Sequence, residues 1–183
     1  MAYETVQIDT AIFGGGCFWC LEAVFQQLRG VRAVMPGYAG GRQSSPDYAA
    51  VSRGGTGHAE VVRIDFDPRE IGYGDLLEVF FAIHDPTTRD RQGNDIGSQY
   101  RSVIFAVSDD QETWAQRVIG DIDASGLHGD PVVTEVLPVS RFWPAEEKHR
   151  DYYLNNPAEP YCRLVVSPKL ALVAQRFGEL VSV

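Results

Sequence analysis

Apolar positions along the chain recur with two periods, and the change from one to the other marks the elements. Val6, Ile8, Ile12 and Phe13 fall in a Thr-containing run that predicts a largely buried strand ending at Gly14-Gly15-Gly16. Leu21, Val24, Phe25 and Leu28 then follow the i, i+3, i+4, i+7 spacing of one helical face, with Gly30 where a C-terminal cap is expected. Cys17 therefore sits at the mouth of a helix. Val31 to Tyr38 predicts a strand cut by Pro36-Gly37 and Gly40-Gly41 and leading into a long loop. Ala59 to Phe66 is the clearest strand, carrying Val61, Ile64 and Phe66 and stopped by Asp67-Pro68. Asp75 is expected to cap a helix through Ile83, with Leu76, Leu77, Phe80 and Phe81 on one side.

From His84 to Tyr100 the pattern breaks into polar, turn-rich sequence, which inside a compact domain is often functional. Ser102 to Val107 and Val132 to Leu137 predict strands and Asp109 to Ser125 a helix. Ala145 to Leu154 predicts a short polar helix, and Pro168 opens a last helix through about Leu180. This order suits an α+β two-layer sandwich, one mixed sheet with helices packed on one face, better than strict βαβ alternation.

The chain has 183 residues, 44% of them hydrophobic, enough for the core of a single domain over 1–183. Lys and Arg total 16 against 25 acids, a net charge of -9 that argues against nucleic acid, whose phosphates need clustered cations. No apolar run is long enough for a membrane span, and Met1 to Thr10 shows no signal-like stretch, so a cytoplasmic location is expected. Three cysteines make no disulfide scaffold and point to reactive thiols or a metal.

Gly14-Gly15-Gly16-Cys17-Phe18-Trp19-Cys20 joins strand to helix. Free N–H groups and the dipole at the helix start are expected to lower the Cys17 pKa from about 8.5 and make it a nucleophile. Buried structural thiols, a zinc half-site and a thioredoxin-like dithiol are the competing readings. A zinc site lacks a second ligand cluster, since only Cys162 and the scattered His58, His84, His128 and His149 remain. Two adjacent aromatics between the cysteines suit a methyl-thioether substrate better than a protein disulfide.

The run Gly16-Cys17-Phe18-Trp19-Cys20 resembles the signature of the peptide methionine sulfoxide reductase A family. Gly37-Tyr38-Ala39-Gly40-Gly41, Asp47-Tyr48, Thr56-Gly57-His58-Ala59-Glu60-Val61-Val62, His84-Asp85-Pro86-Thr87 and Arg91 through Ser102 match further family motifs in order. The resemblance implies a ferredoxin-like sandwich and a C-terminal recycling segment around 155–183. It implies reduction of the S epimer of methionine sulfoxide in oxidised proteins, without metal, flavin or nucleotide, and with thioredoxin as reductant and partner.

Thiolate attack on a sulfoxide needs an acid at its oxygen. Glu60, in an apolar strand where burial would keep it protonated, occupies the position of the family's proton-donating glutamate. By resemblance Tyr48 and Tyr100 donate hydrogen bonds to the oxygen, Asp95 orients water or substrate backbone, and Phe18 and Trp19 hold the methyl group. His58, His84 and His149 are expected to be structural, and Glu146-Glu147 a solvated helix face. The sulfenic acid left on Cys17 condenses with a nearby thiol. Pro160-Tyr161-Cys162 resembles the recycling segment, which implies Cys162 on a mobile loop as first resolver and Cys20 as a second step; Ser52 stands where some members carry another cysteine. A monomer is expected. A general thiol-disulfide oxidoreductase would not need Glu60 or the tyrosines, and a non-catalytic module binding oxidised methionine would not need Cys17.

Overall fold

The computed structural model describes residues 6–182. The reading of Met1 to Thr10 as free of a leader rests in part on residues 1–5, outside those described, as does residue 183 of the expected recycling segment. The elements run β1 (Asp9–Gly14), α1 (Phe18–Phe25), β2 (Val31–Ala39), α2 (Tyr48–Arg53), β3 (Ala59–Phe66), α3 (Tyr73–Ile83), β4 (Arg91–Gln92), β5 (Asp95–Ile96), β6 (Val103–Ala106), α4 (Asp109–Ser125), β7 (Glu135–Pro138), β8 (Phe142–Pro144), α5 (Tyr152–Asn155) and α6 (Ser167–Arg176). Six strands form one mixed sheet in the order β7-β6-β1-β3-β2-β8, in which only β6 and β7 pair in parallel. β4 and β5 form a separate small hairpin.

Alternation along the strands sorts side chains to the two faces. Ala11, Phe13, Tyr38, Val62, Ile64, Phe66 and Ile104 join the helices in the main core, while Ile12, Ala39, Ala59, Val61, Val103 and Phe105 form a smaller cluster on the other face, covered by Val139 and Phe142. The α+β mixed sheet with its helices on one face is as expected from the pattern. Glu60 has the parity of Val62, Ile64 and Phe66, so it points to the helical face; opposite it in the register is Tyr38.

Several local expectations are corrected. β2 runs unbroken through Pro36-Gly37, because it pairs on both sides, with β3 and β8, and Gly37 fits beneath Phe142, where a Cβ would lie 2.4 Å from the ring. α1 is shorter than the apolar spacing implied, ending at Phe25 before a turn to Gly30 at φ 90°. The α3 cap is Gly72, whose N–H donates to Asp75 Oδ2 at 2.9 Å, so Asp75 sits in the first turn instead of at the cap. The segment Ala145 to Leu154 is no single helix. It holds a 3-10 turn at Glu147–His149 and the short α5, separated by Asp151 at φ 51°. The tail is helical from a π-helix, Cys162–Val166, directly into α6.

Candidate active site

The sheet delivers the Gly14-Gly15-Gly16 turn to the helical face. Gly16 has φ 98°, and a Cβ on Gly15 would lie 2.9 Å from Phe80, so the turn needs both glycines. Beyond it Cys17 is the N-cap of α1, with extended backbone, and its carbonyl accepts from Cys20 N–H at 3.1 Å. The next amide, Phe18 N–H, donates to Glu60 Oε2 at 3.1 Å. One helix terminus thus holds the thiol and fixes the carboxyl beside it.

Glu60 is 1% exposed. Burial, with a smaller contribution from Asp95, lifts its pKa from 4.5 to about 8 against the stabilising Phe18 N–H, so it carries its proton at neutral pH. The expectation for Cys17 is reversed. The thiol is 9% exposed, and burial, followed by the charges of Glu60 and Cys20, pushes its pKa up; the Trp19 N–H and the Tyr161 hydroxyl only partly offset this. A helix terminus stabilises a thiolate when water or a cation shares the site. Here an apolar core and acids surround it.

Tyr48 opens α2, whose cap Asp47 accepts from Ala50 N–H at 2.7 Å, and Tyr100 closes a 3-10 turn at Ser98–Tyr100. Burial and the charges of Glu60, Cys17 and Asp95 raise both phenols, so they stay protonated donors around the same centre. Phe18 is fully buried against Tyr38, Tyr48 and His149. Trp19 is half-buried, its ring stacked on Tyr152 at 3.7 Å and its Nε1 donating to His149 Nδ1 at 3.2 Å.

A cavity of about 300 Å³ opens beside the thiols, lined by Cys17, Cys20, Gln92, Gly93, Asn94, Asp95, Tyr161, Val165 and Lys169. Tyr161 donates its hydroxyl proton to Asp95 Oδ2 at 2.7 Å and lies 3.8 Å from Cys20 Sγ. Cys162 does not line this cavity and is no loop thiol: it starts the π-helix with no exposed surface. Its charge bears on Cys20, and that of Cys20 on Cys17.

Residues that the sequence did not assign to the site complete the surroundings. Glu146 is no solvated helix face: it accepts from Tyr38 OH at 2.9 Å and Tyr48 N–H at 3.1 Å. These donors hold its pKa below the usual range despite burial. Glu147 is exposed. Buried Glu22 accepts from the Asp151 and Tyr152 amides at 2.9 and 3.4 Å and supports the turn that carries Tyr152. A Glu at a core-facing helical position was the available signal for it. His58 spans Gly41 N–H and Gln43 O, and His84 spans Phe80 O and Ser102 Oγ, both structural. Burial takes His84 to about 4, so it stays neutral. Among the described residues no group of three or more His, Cys, Asp or Glu is arranged to hold a metal, and no helix is long and apolar enough to cross a membrane.

A buried thiol at a helix start, with a buried carboxyl bonded to the next amide, suits the class of thiol-dependent oxidoreductases. The model of the peptide methionine sulfoxide reductase family matches residues 9–180. A protein of Chromobacterium violaceum named peptide methionine sulfoxide reductase MsrA is 53% identical over 173 residues, covering 94% of this chain and 98% of its own length. The crystal structure of reduced Mxr1 from Saccharomyces cerevisiae is 31% identical, covers 88% of this chain and 92% of its own, and superposes with a TM-score of 0.78. Mxr1 solved in complex with Trx2 is 22% identical over 83% of this chain and 89% of that one, with a TM-score of 0.55, a likeness of fold. The chain belongs to the peptide methionine sulfoxide reductase family.

Proposed function

We propose that the chain reduces methionine-S-sulfoxide in oxidised proteins to methionine, with Cys17 as the nucleophile. The observation that carries this reading is the Phe18 N–H bond to Glu60, which places beside the thiol, at the same helix terminus, a carboxyl that burial keeps protonated near pH 7. Glu60 gives its proton to the sulfoxide oxygen while the Tyr48 and Tyr100 hydroxyls donate hydrogen bonds to it, and sulfur becomes electrophilic. Cys17 attacks. An S–S bond forms to the protonated sulfoxide, then opens as the hydroxyl passes from the methionine sulfur to Cys17; methionine leaves, Cys17 is left as a sulfenic acid, and the thiol's proton restores Glu60, so thiol and sulfoxide go to sulfenic acid and thioether without another reactant. The raised Cys17 pKa suits this, because the thiol gives up its proton only as the acid beside it is consumed. Phe18 and Trp19 hold the methyl, and Asp95 orients the substrate backbone once Tyr161 releases it.

The order of exchange that best fits the geometry begins with Cys20, the reverse of the order implied by a mobile tail. Residues three apart at a helix start have Cβ atoms about 5–6 Å apart, a small backbone adjustment from disulfide reach. Cys162 then attacks Cys20 and frees Cys17. The C-terminal segment around 155–183 serves as the recycling part of a single ferredoxin-like domain. A cytoplasmic monomer with thioredoxin as reductant fits the reading; a likeness to Mxr1, solved with Trx2, supports the last of these. The test is turnover of both sulfoxide epimers by wild type and Cys17→Ser. Loss of S-epimer reduction with an unchanged fold is expected, and substantial residual turnover refutes the assignment.

A further inference from the structure

The inner stripe of the C-terminal helical segment reads Cys162, Val166, Lys169, Val173, spaced i, i+4, i+7, i+11. Three of these side chains have no exposed surface, and the fourth is a lysine. Its ammonium donates to the Ile83 carbonyl, at the last residue of α3, at 2.6 Å. Among the described residues it forms no ion pair with a carboxylate. A half-buried cation without a counter-ion therefore stands in the wall of the cavity that holds Cys17 and Cys20.

We propose that Lys169 is a positioning residue for the resolving step, its ammonium favouring the Cys20 thiolate so that Cys20 reaches oxidised Cys17 before Cys162 does. This rests on the reading of Cys17 as the nucleophile. The groups facing Cys20 are Lys169 from α6, Tyr161 ahead of the π-helix, Asp95 from β5, Cys162 and Cys17. Burial raises its pKa; Lys169 is the strongest opposing influence, followed by the Tyr161 hydroxyl, while Asp95 and Cys162 add to the rise. Lys169 heads the influences that oppose burial at Cys20, whereas at Cys17 burial is joined first by Glu60. The pairing separates the two roles: a thiol kept protonated until substrate arrives, and a second thiol readied to follow. In the step, the Cys20 thiolate attacks the Cys17 sulfenic sulfur, an S–S bond forms as the S–O bond breaks, and hydroxide leaves to take the proton that Cys20 released, as water. No oxidant or reductant is consumed.

The test uses Cys162→Ser, with and without Lys169→Met or Lys169→Arg, given one equivalent of methionine sulfoxide without reductant. Methionine release and Cys17–Cys20 disulfide formation are timed separately by quenched flow with mass mapping, between pH 6 and 9. Lys169→Met should slow disulfide formation about tenfold relative to methionine release at pH 7 and move its pH profile about one unit alkaline, as a tenfold loss of thiolate requires. Lys169→Arg should restore both. An unmoved ratio and profile in Lys169→Met, or an Arg variant that behaves like Met, overturns the role of Lys169. Failure to release methionine in Cys162→Ser itself overturns instead the reading of Cys17 on which the proposal rests.

Discussion

Replacing Glu60 by Gln should make the protein more stable and less active, and the size of the stability gain should depend on pH in a calculable way. Glu60 titrates at about 8 when folded and at 4.5 as an ordinary carboxyl. A raised folded value favours the native state below pH 4.5, and this advantage is lost as pH rises through about 8. At pH 7 the unfolded carboxyl is ionised and the buried one is not. The 2.5-log gap between 4.5 and pH 7, at 1.36 kcal/mol per log, sets the loss at about 3 kcal/mol. Gln cannot ionise and still offers an oxygen to Phe18 N–H, so it escapes the loss. Urea unfolding of both proteins at pH 4 and pH 7 measures the difference, in which Glu22, raised to about 7, contributes equally to both and cancels. The gap in favour of Gln should widen by about 3 kcal/mol between the two pH values. The single-turnover rate should fall by about 10²- to 10⁴-fold for want of a proton donor. A stability difference that stays flat with pH means Glu60 is ionised in the fold, and an unchanged rate removes it from the chemistry.

Tyr48→Phe and Tyr100→Phe should each slow methionine release by about tenfold or more while leaving the melting temperature within a few degrees; a double variant as fast as wild type would show that the phenols only fill space. Gly16→Ala should destabilise by about 1–2 kcal/mol, because φ 98° is costly for alanine and its Cβ would meet Gln92 at 2.7 Å; unchanged unfolding in urea would contradict the strained turn. After one equivalent of substrate, mass mapping should find Cys17–Cys20 in Cys162→Ser and Cys20–Cys162 in wild type; a Cys17–Cys162 bond formed equally fast in Cys20→Ser would put Cys162 first.

The strand and helix that meet at Cys17, the clear strand holding Glu60 and the long α4 were all legible in the sequence, because their apolar periods are strong and local. Glu60 was legible as well: a carboxylic acid at a core-facing strand position must be neutral or paired, and the fold leaves it neutral. The family motifs named Tyr48, Tyr100 and Asp95; in the fold all three are half-buried, and Asp95 accepts from Tyr161. Tertiary structure alone decided what surrounds that thiol. The helix terminus argued for an acidic Cys17, yet the core and Glu60 raise it, since desolvation depends on neighbours far away in sequence. Glu146 reads as a solvated helix face until Tyr38 and Tyr48, about a hundred positions earlier, bring it their donors. The unbroken β2, whose Pro36-Gly37 is a turn signal on its own, exists because strands on both sides pair with it. Cys162 follows a Pro-Tyr step that suggests a loop, but its neighbours Val166 and Val173 bury one helical face and carry the thiol inside with them. Local pattern fixes which segments form helix and strand; which charges and thiols face one another depends on contacts across the whole chain.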